Sequence, residues 1–184
     1  LPSLVRVGAD GHGPFLLETR VEGVSLATLA DGWRAGGAPI PPLLVAHVAS
    51  AAAGALAGLA ELAGADGPPE IVHGDIAPDH LLFGPLGQVR LIDLGAARFR
   101  GIDPALLGDE RGTLPFVAPE LARGEARPSP ATDLYALAAT LLAFASGQPP
   151  CTAGDPAALL VEVAERGVRL ELCDELPFGP AGRD

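Results

Sequence analysis

Ile71–Phe83 reads IVHGDIAPDHLLF and places Asp75 at the end of a short apolar run. A second segment, Val89–Gly95, reads VRLIDLG and repeats this arrangement around Asp93. A lone aspartate at the end of a strand usually serves as a turn former. Two such acids at this spacing and in similar settings predict a site in which the two carboxylates have different chemical roles.

The composition is that of a folded, acidic segment. Of the 184 residues, 48% are hydrophobic and 19% are charged, which provides material for a sizeable core and fits one domain or a large part of a bigger one. The formal net charge of −11 argues against nucleic acid as a partner. All twelve basic residues are arginine, so chemistry that needs a lysine amine is excluded within this chain. Cys151 and Cys173 form no CxxC pair, which is typical of unpaired thiols in a reducing cytoplasm.

An uncharged run at residues 35–60 is long enough to span a bilayer. It begins with glycine and proline and continues mainly as alanine and glycine, which contribute little to membrane transfer. We therefore expect a helix at Leu43–Ala63 that is buried among other helices, and no membrane insertion by this segment.

The remaining patterns predict a mostly helical α+β fold. Leu4–Val7 and Pro14–Leu17 flank a glycine-rich turn and predict a β-hairpin. Ser25 is a suitable cap for a short helix that runs through Ala30. The other expected elements are short strands at Ile71–Val72, Leu81–Phe83 and Val89–Ile92, an irregular loop at Ala96–Gly112, a buried helix at Leu134–Ala145, an amphipathic helix at Pro156–Arg166 and a frayed tail at Leu176–Asp184.

Four motifs, in the right order, resemble those of the protein kinase family. They are His73-Gly74-Asp75, similar to the catalytic-loop HRD; Asp93-Leu94-Gly95, similar to DFG; Gly112–Glu120 (GTLPFVAPE), similar to GTxxYMAPE; and Asp133–Leu137 with Gly147–Pro150, similar to the buried helix that follows. Small-molecule phosphotransferases share an HGD-type loop but lack a substrate-docking segment of this kind. Gly112-Thr113 favours the serine/threonine branch of the family, although Ala77 stands where the lysine of that branch is usual.

The resemblance implies a fold and a domain division. Residues 1–23 would be the last two strands of the small lobe with the hinge at Thr19–Val21, and residues 24–184 a large lobe without its C-terminal end. The Gly-rich loop, the lysine that binds the ATP phosphates and the helix with its glutamate partner would precede Leu1. We therefore expect a protein-kinase-like large lobe with a remnant two-strand hairpin, inactive as an isolated segment.

The resemblance also implies an activity for the parent protein, transfer of the γ-phosphoryl group of ATP to serine or threonine hydroxyls of a protein substrate. Asp75 would be the catalytic base. Asp93 would bind Mg²⁺, and His80, at the position of the usual asparagine, would be a weaker second metal ligand better suited to Mn²⁺. The implied ATP contacts are Thr19, Val21, Leu82 and Asp93.

Further departures from the family pattern bear on regulation and stability. Gly74 replaces the arginine that would bind an activation-loop phosphate, and the loop offers a single hydroxyl, Thr113, within the docking motif. Both observations imply a kinase that activation-loop phosphorylation does not switch on. The resemblance also makes Asp133 a structural anchor that accepts hydrogen bonds from the backbone near His73. The arginine partner expected for Glu120 is missing or lies beyond the chain.

Two alternatives remain. A catalytically inactive pseudokinase would keep the fold for binding a protein partner or for regulation, in agreement with Ala77, with His80 and with a carboxylate, Glu18, where an apolar gatekeeper is usual. A metal-dependent hydrolase would instead take its ligands from His73, Asp75, Asp79 and His80. An HxHxDH pattern needs a second histidine at the place that Asp75 occupies, which argues against this alternative.

Overall fold

The computed structural model describes residues 1–62, 70–100, 102 and 112–176. The elements in these residues form an α+β fold that is mostly helical, as predicted. Parts of three predicted features lie outside the described residues: the helix end expected at Ala63, most of the loop at Ala96–Gly112 and most of the tail at Leu176–Asp184.

A β-hairpin opens the chain, as predicted. Strand β1 (Leu4–Asp10) pairs antiparallel with β2 (Gly13–Glu18). At the turn, the Asp10 carboxylate accepts the backbone N–H of His12 at 2.8 Å, a bond that favours a tight reversal. Several apolar side chains of the hairpin are exposed, namely Leu4, Val5, Val7 and Leu17.

A small antiparallel sheet connects the segments that carry the two acids. Its strands β3 (Val24–Ser25), β4 (Leu81–Phe83) and β5 (Val89–Leu91) lie in the order β3-β4-β5. The sequence predicted β4 and β5 but not β3, because a pairing of only two residues leaves no alternating pattern to detect. The prediction of a strand at Ile71–Val72 is wrong, since this segment forms only a single bridge to Arg98.

The described residues contain five α-helices. They are α1 (Leu26–Ala35), α2 (Pro42–Ala60), α3 (Pro119–Ala122), α4 (Pro130–Ser146) and α5 (Pro156–Arg166). Four of them begin with proline. Proline lacks a backbone N–H, and this costs nothing in the first turn of a helix, where an N–H has no acceptor within the helix. Ser25 caps α1 as predicted, since its hydroxyl accepts the N–H of Thr28 at 3.2 Å. Helix α1 extends beyond the predicted end at Ala30, and an ion pair between Asp31 and Arg34 spans its last turn.

The main core lies between α2 and α4. Helix α2 buries one stripe at helical spacing, formed by Val45, Val48, Ala52 and Leu59. From α4, the same core receives Ala136, Leu137 and Phe144. The expectation that α2 is buried among other helices is therefore only partly correct, because its opposite face is exposed. That face consists largely of alanine and glycine, which offer little apolar area to bury.

Helix α2 is also the one helix in the described part of the chain that is long and apolar enough to cross a membrane, with a mean hydropathy of 1.8. Core helices of globular proteins satisfy the same criterion. The buried stripe of α2 packs against α4 and β5. This packing accounts for the apolar residues of the buried stripe, which is a minority of the helix, since 22% of its apolar window is buried.

Candidate active site

Asp75 lies in a loop that leads into a single 3₁₀ turn at Pro78–His80. One carboxylate oxygen, Oδ1, accepts two hydrogen bonds from Thr113: the backbone N–H donates at 2.7 Å and the hydroxyl at 2.8 Å. These two bonds join the candidate docking segment to the candidate base. The sequence motif contained Thr113, but its contact with Asp75 was not predicted, because the two residues lie 38 positions apart.

His80 lies between the two acids. Its Nδ1 atom is 2.7 Å from the backbone oxygen of Asp75 and 3.4 Å from Asp75 Oδ2, while its Nε2 atom is 3.7 Å from Asp93 Oδ2. Because a carbonyl oxygen only accepts hydrogen bonds, Nδ1 must carry a proton. In the neutral ring, Nε2 therefore presents its lone pair on the side of Asp93.

Asp93 lies two residues after the end of β5 and has a left-handed backbone conformation, with φ of +65°. This conformation is uncommon for residues other than glycine, and aspartate is among those that tolerate it. Its Oδ1 atom accepts the N–H of Gly95 at 3.0 Å, and the side chain is 56% exposed. Strained backbone of this kind often occurs at functional sites, where the surrounding structure enforces it. The geometry leaves Oδ2 of Asp93 facing His80 and solvent.

Beneath this surface, a buried carboxylate holds the loop. Asp133 at the start of α4 accepts the backbone N–H of His73 at 2.7 Å through Oδ2 and that of Gly74 at 2.9 Å through Oδ1. The predicted role of Asp133 as an anchor of this loop is therefore confirmed. Burial raises the pKa of Asp133, and the hydrogen bonds from Gly74 and His73 oppose this shift.

The His73 side chain is fully buried and links both acidic segments. Its Nε2 atom is 3.1 Å from the backbone oxygen of Ile92, next to Asp93, and its Nδ1 atom accepts the backbone N–H of Asp75 at 3.3 Å. These partners require the neutral form with the proton on Nε2. Burial lowers the pKa of His73 below its usual range, while Asp133 opposes this shift. The sequence motif included His73 but did not indicate this double link.

Gly74 occupies a position that only glycine fits. Its φ is +82°, and a Cβ atom built there would lie 2.6 Å from the carbonyl oxygen of Ala96. A Cβ on Gly112 would likewise lie 2.8 Å from the carbonyl oxygen of Gly74. The backbone of this loop therefore cannot accept the arginine that the family pattern places at position 74 without moving.

The residues expected to contact ATP have different surroundings. Thr19 is exposed at the base of the hairpin, where its backbone N–H donates to Ser3 at 2.9 Å, and Val21 is half-buried in the connection to β3. Leu82 lies in the central strand β4 and is half-buried. None of the three joins the hydrogen bonds around Asp75 and Asp93. The Glu18 carboxylate is exposed, so the desolvation that would disfavour it at this position does not arise.

The metal-ligand alternative has little support. Both ring nitrogens of His73 already have hydrogen-bond partners, so His73 has no lone pair for a metal. Within the described residues, no group of three or more histidine, cysteine, aspartate or glutamate side chains is arranged to hold a metal ion. Asp93 and His80 could supply two ligands to a metal ion, which would need further ligands from nucleotide phosphates or water.

Comparison with known proteins identifies the family. The sequence matches the protein kinase domain over residues 45–173, which is more than half of the chain. The chain belongs to the protein kinase family. The matched region includes the Asp75 loop, Asp93, the docking segment and α4, so the predicted family and the kinase-like α+β fold are both confirmed.

Several kinases are similar to this kinase-family chain. The serine/threonine-protein kinase PknL of Mycobacterium tuberculosis is 31% identical over 151 residues, which cover 82% of this chain and 35% of that protein. Mitogen-activated protein kinase kinase kinase 18 of Arabidopsis thaliana is 33% identical over 105 residues, or 55% of this chain and 30% of the relative. A calcium/calmodulin-dependent protein kinase kinase of Caenorhabditis elegans is 41% identical over 85 residues, which cover 44% of this chain and 16% of that protein. The chain thus spans about a third or less of these relatives.

We predict that Asp133→Ala strongly destabilises the protein. The substitution leaves two buried N–H donors, those of His73 and Gly74, without a partner, at a cost of about 1–3 kcal/mol each. The measurement is the free energy of unfolding by chemical denaturation. Asp155→Ala is a matched control, because Asp155 also accepts two backbone N–H bonds but is exposed, so we expect a loss of about 1 kcal/mol. Equal losses in the two variants would contradict the assignment.

A second prediction concerns pH. Because the pKa of His73 is lowered in the folded protein, the unfolded chain binds more protons than the folded chain once the pH falls below about 6.5. The contribution of His73 to stability is therefore present above this pH and is lost as the pH falls. Asp133, whose pKa is raised, changes the stability in the opposite direction at lower pH. Because Asp133 is present in both proteins, the difference in the free energy of unfolding between wild type and His73→Gln isolates the contribution of the histidine. We expect this difference to shrink between about pH 7.5 and about pH 5.5; a constant difference would contradict it.

Proposed function

We propose that the protein containing this chain is a serine/threonine kinase that transfers the γ-phosphoryl group of ATP to a hydroxyl of a protein substrate, in the cytoplasm. The observation that carries this proposal is the arrangement of Asp75, His80 and Asp93, with the two carboxylates on either side of one imidazole. In this proposal, residues 1–23 belong to the small lobe and hinge, and residues 24–184 to the large lobe.

Asp75 has the geometry of a general base. Thr113 holds Oδ1 in place through two hydrogen bonds, and the other oxygen, Oδ2, lies 3.4 Å from His80 Nδ1, whose proton is already shared with a closer backbone oxygen. The carboxylate therefore keeps lone pairs that can accept the proton of a substrate hydroxyl as its oxygen attacks phosphorus. The two bonds from Thr113 fix the orientation of the base.

Asp93 and His80 fit a divalent cation. Asp93 offers an exposed carboxylate oxygen, and His80 places its Nε2 atom 3.7 Å away from that oxygen. When bound, Mg²⁺ or Mn²⁺ would neutralise negative charge on the phosphate oxygens. Thr19, Val21 and Leu82 are the proposed contacts to the nucleotide.

A pseudokinase that binds a regulatory protein is the second candidate. Ala77, which replaces the lysine usual in the serine/threonine branch, is 1% exposed and brings no polar group into the loop. An imidazole in the place of asparagine also weakens the fit for Mg²⁺, which prefers oxygen ligands. These features favour a protein that keeps the kinase fold in order to bind a partner. They require no change in the rest of the architecture.

Phosphoryl transfer from radiolabelled ATP to a serine-containing protein tests the first proposal, with the protein at its full natural length. We expect Asp75→Asn to lower the rate by about 10²–10⁴-fold, because a general base typically contributes that much. Asp174→Asn is the control, since this aspartate is exposed and outside the site. The isolated 184-residue chain should transfer no label, because it has no lysine to bind the ATP phosphates. Transfer that survives Asp75→Asn would refute the role of Asp75, and its complete absence in the wild-type protein favours the pseudokinase.

Calorimetry of nucleotide binding with each metal tests the cation site. Asp93→Ala should abolish the metal dependence of binding, and His80→Asn should raise affinity in Mg²⁺ and narrow any preference for Mn²⁺, because an amide oxygen suits Mg²⁺ better than an imidazole nitrogen. His12→Asn, in the exposed hairpin turn, is the matched control. If only Asp93→Ala has an effect, His80 is not a ligand. If neither has, the proposed nucleotide site is wrong.

A further inference from the structure

A polar cleft of about 380 Å³ lies along α5, outside the candidate active site. Thr152 lines it from the connection between α4 and α5, Glu162 and Arg166 from the last two turns of α5, and Arg169 and Glu171 from the segment that follows. A cavity of about 10–15 Å³ suffices for one water molecule. The cleft therefore has room for a phosphoryl group.

The cleft contains two guanidinium groups with unused hydrogen-bond donors. Arg169 donates to the Glu171 carboxylate through Nε at 3.3 Å, and its terminal nitrogens have no partner among the residues that the structure describes. Arg166, three residues earlier, has neither a hydrogen bond nor an ion pair within the same residues. A free guanidinium fork matches the oxygens of a phosphate group. The two arginines thus provide the donors that an anionic group in this cleft would need.

The acidic groups of the cleft already have partners. The Glu162 carboxylate accepts the backbone N–H groups of Thr152 at 3.0 Å and of Ala153 at 2.8 Å, and Glu171 accepts from Arg169. Burial raises the pKa of the neighbouring Cys151 thiol, which therefore adds no negative charge near neutral pH. The unsatisfied hydrogen-bonding groups of the cleft are consequently the donors of the arginines.

Thr152 is the residue of this lining that can be phosphorylated. It is exposed, and it belongs to a stretch at 151–155 that forms neither helix nor strand, which makes it accessible to a modifying enzyme. Its hydroxyl makes no hydrogen bond to the described residues. A phosphoryl group on this hydroxyl would bring a charge of about −1.5 to −2 and three acceptor oxygens into the cleft.

Two features oppose a phosphate at this place. The Glu162 carboxylate lies close to Thr152, and the carbonyl groups at the C-terminal end of α5 carry partial negative charge. One of these carbonyls, that of Ala164, already accepts a hydrogen bond from Arg123 at 2.7 Å. Glu162 is likewise bonded to two N–H groups, whereas both arginines keep free donors. We therefore expect the attraction to exceed the repulsion.

We propose that Thr152 is a phosphorylation site whose phosphate is bound by Arg166 and Arg169. In the reaction, Oγ1 of Thr152 forms a bond to the γ-phosphorus of ATP, the bond from that phosphorus to ADP breaks, and the hydroxyl proton passes to the base of the acting kinase. The donor enzyme is a serine/threonine kinase, either a second copy of this protein or another enzyme. Cys151 packs with Val117 of the docking segment in one small core. A phosphate fixed on the next residue would therefore stiffen a connection that supports that segment.

Phosphorus NMR of the full-length protein, with phosphothreonine incorporated at position 152, tests the phosphate site. An exposed phosphothreonine has its second pKa near about 6. We expect the midpoint at position 152 to lie about one pH unit lower, because nearby guanidinium groups favour the dianion. The double variant Arg166→Gln/Arg169→Gln should restore a midpoint of about 6. Arg127→Gln, at an exposed arginine outside the cleft, is the matched control and should leave the lowered midpoint unchanged.

Glu162→Gln measures the opposing charge. The amide oxygen can still accept an N–H, so the connection keeps a partner, while the negative charge is lost. We expect this variant to lower the midpoint further. A wild-type midpoint at or above about 6 would overturn the proposal, because the carboxylates would then dominate. A low midpoint that persists in the double arginine variant would also overturn it, since another group would then bind the phosphate.

Mass spectrometry shows whether the modification occurs and which enzyme supplies it. The protein isolated from its native cells is compared with full-length protein incubated with ATP. Phosphate on Thr152 after incubation that is lost in Asp75→Asn would support the proposal with a second copy as the donor. Phosphate in the native protein alone would support it with another kinase as the donor, even if the proposed function fails. Its absence from both samples would overturn the proposal.

Discussion

The hydrogen bonds between the buried Asp133 carboxylate and the backbone of His73 and Gly74 are the interaction on which the rest of the structure depends. Asp133 belongs to the core helix α4, and its two acceptor oxygens fix the loop that carries Asp75. Seven residues further along α4, about two helical turns, the hydroxyl of Thr140 lies 3.4 Å from the carbonyl of Ile76. The loop is therefore held from below at two points by one rigid helix.

Further contacts connect this loop to both acids. His73 joins the backbone at Asp75 to the backbone at Ile92, and the Ile92 N–H donates to the carbonyl of His80 at 2.9 Å. The spacing between the candidate base and Asp93 is thus maintained by backbone groups and one neutral imidazole. Such a buried polar network is stabilising only when all its members have partners, and no buried side-chain nitrogen or oxygen in the described residues lacks one.

The sequence predicted the parts of this arrangement that depend on short motifs. Asp75, Asp93 and the anchoring Asp133 could be located because each belongs to a recognisable local pattern, and the hairpin and β4 and β5 follow from apolar runs between turns. The two-residue strand β3, the exposed face of α2 and the contact between Thr113 and Asp75 could not be predicted, because they depend on which distant segments meet. The ring orientation of His80 likewise depends on a backbone carbonyl and on Asp93, which come together only in the folded chain.

Gly74 also limits how this protein could change in evolution. A single mutation to arginine at this position would place a side chain where the left-handed backbone and the nearby carbonyl of Ala96 leave no space even for a Cβ atom. Accepting it would require the segment around Ala96 to move at the same time. Because one substitution does not supply both changes, position 74 is constrained to glycine for as long as the Ala96 segment keeps its place.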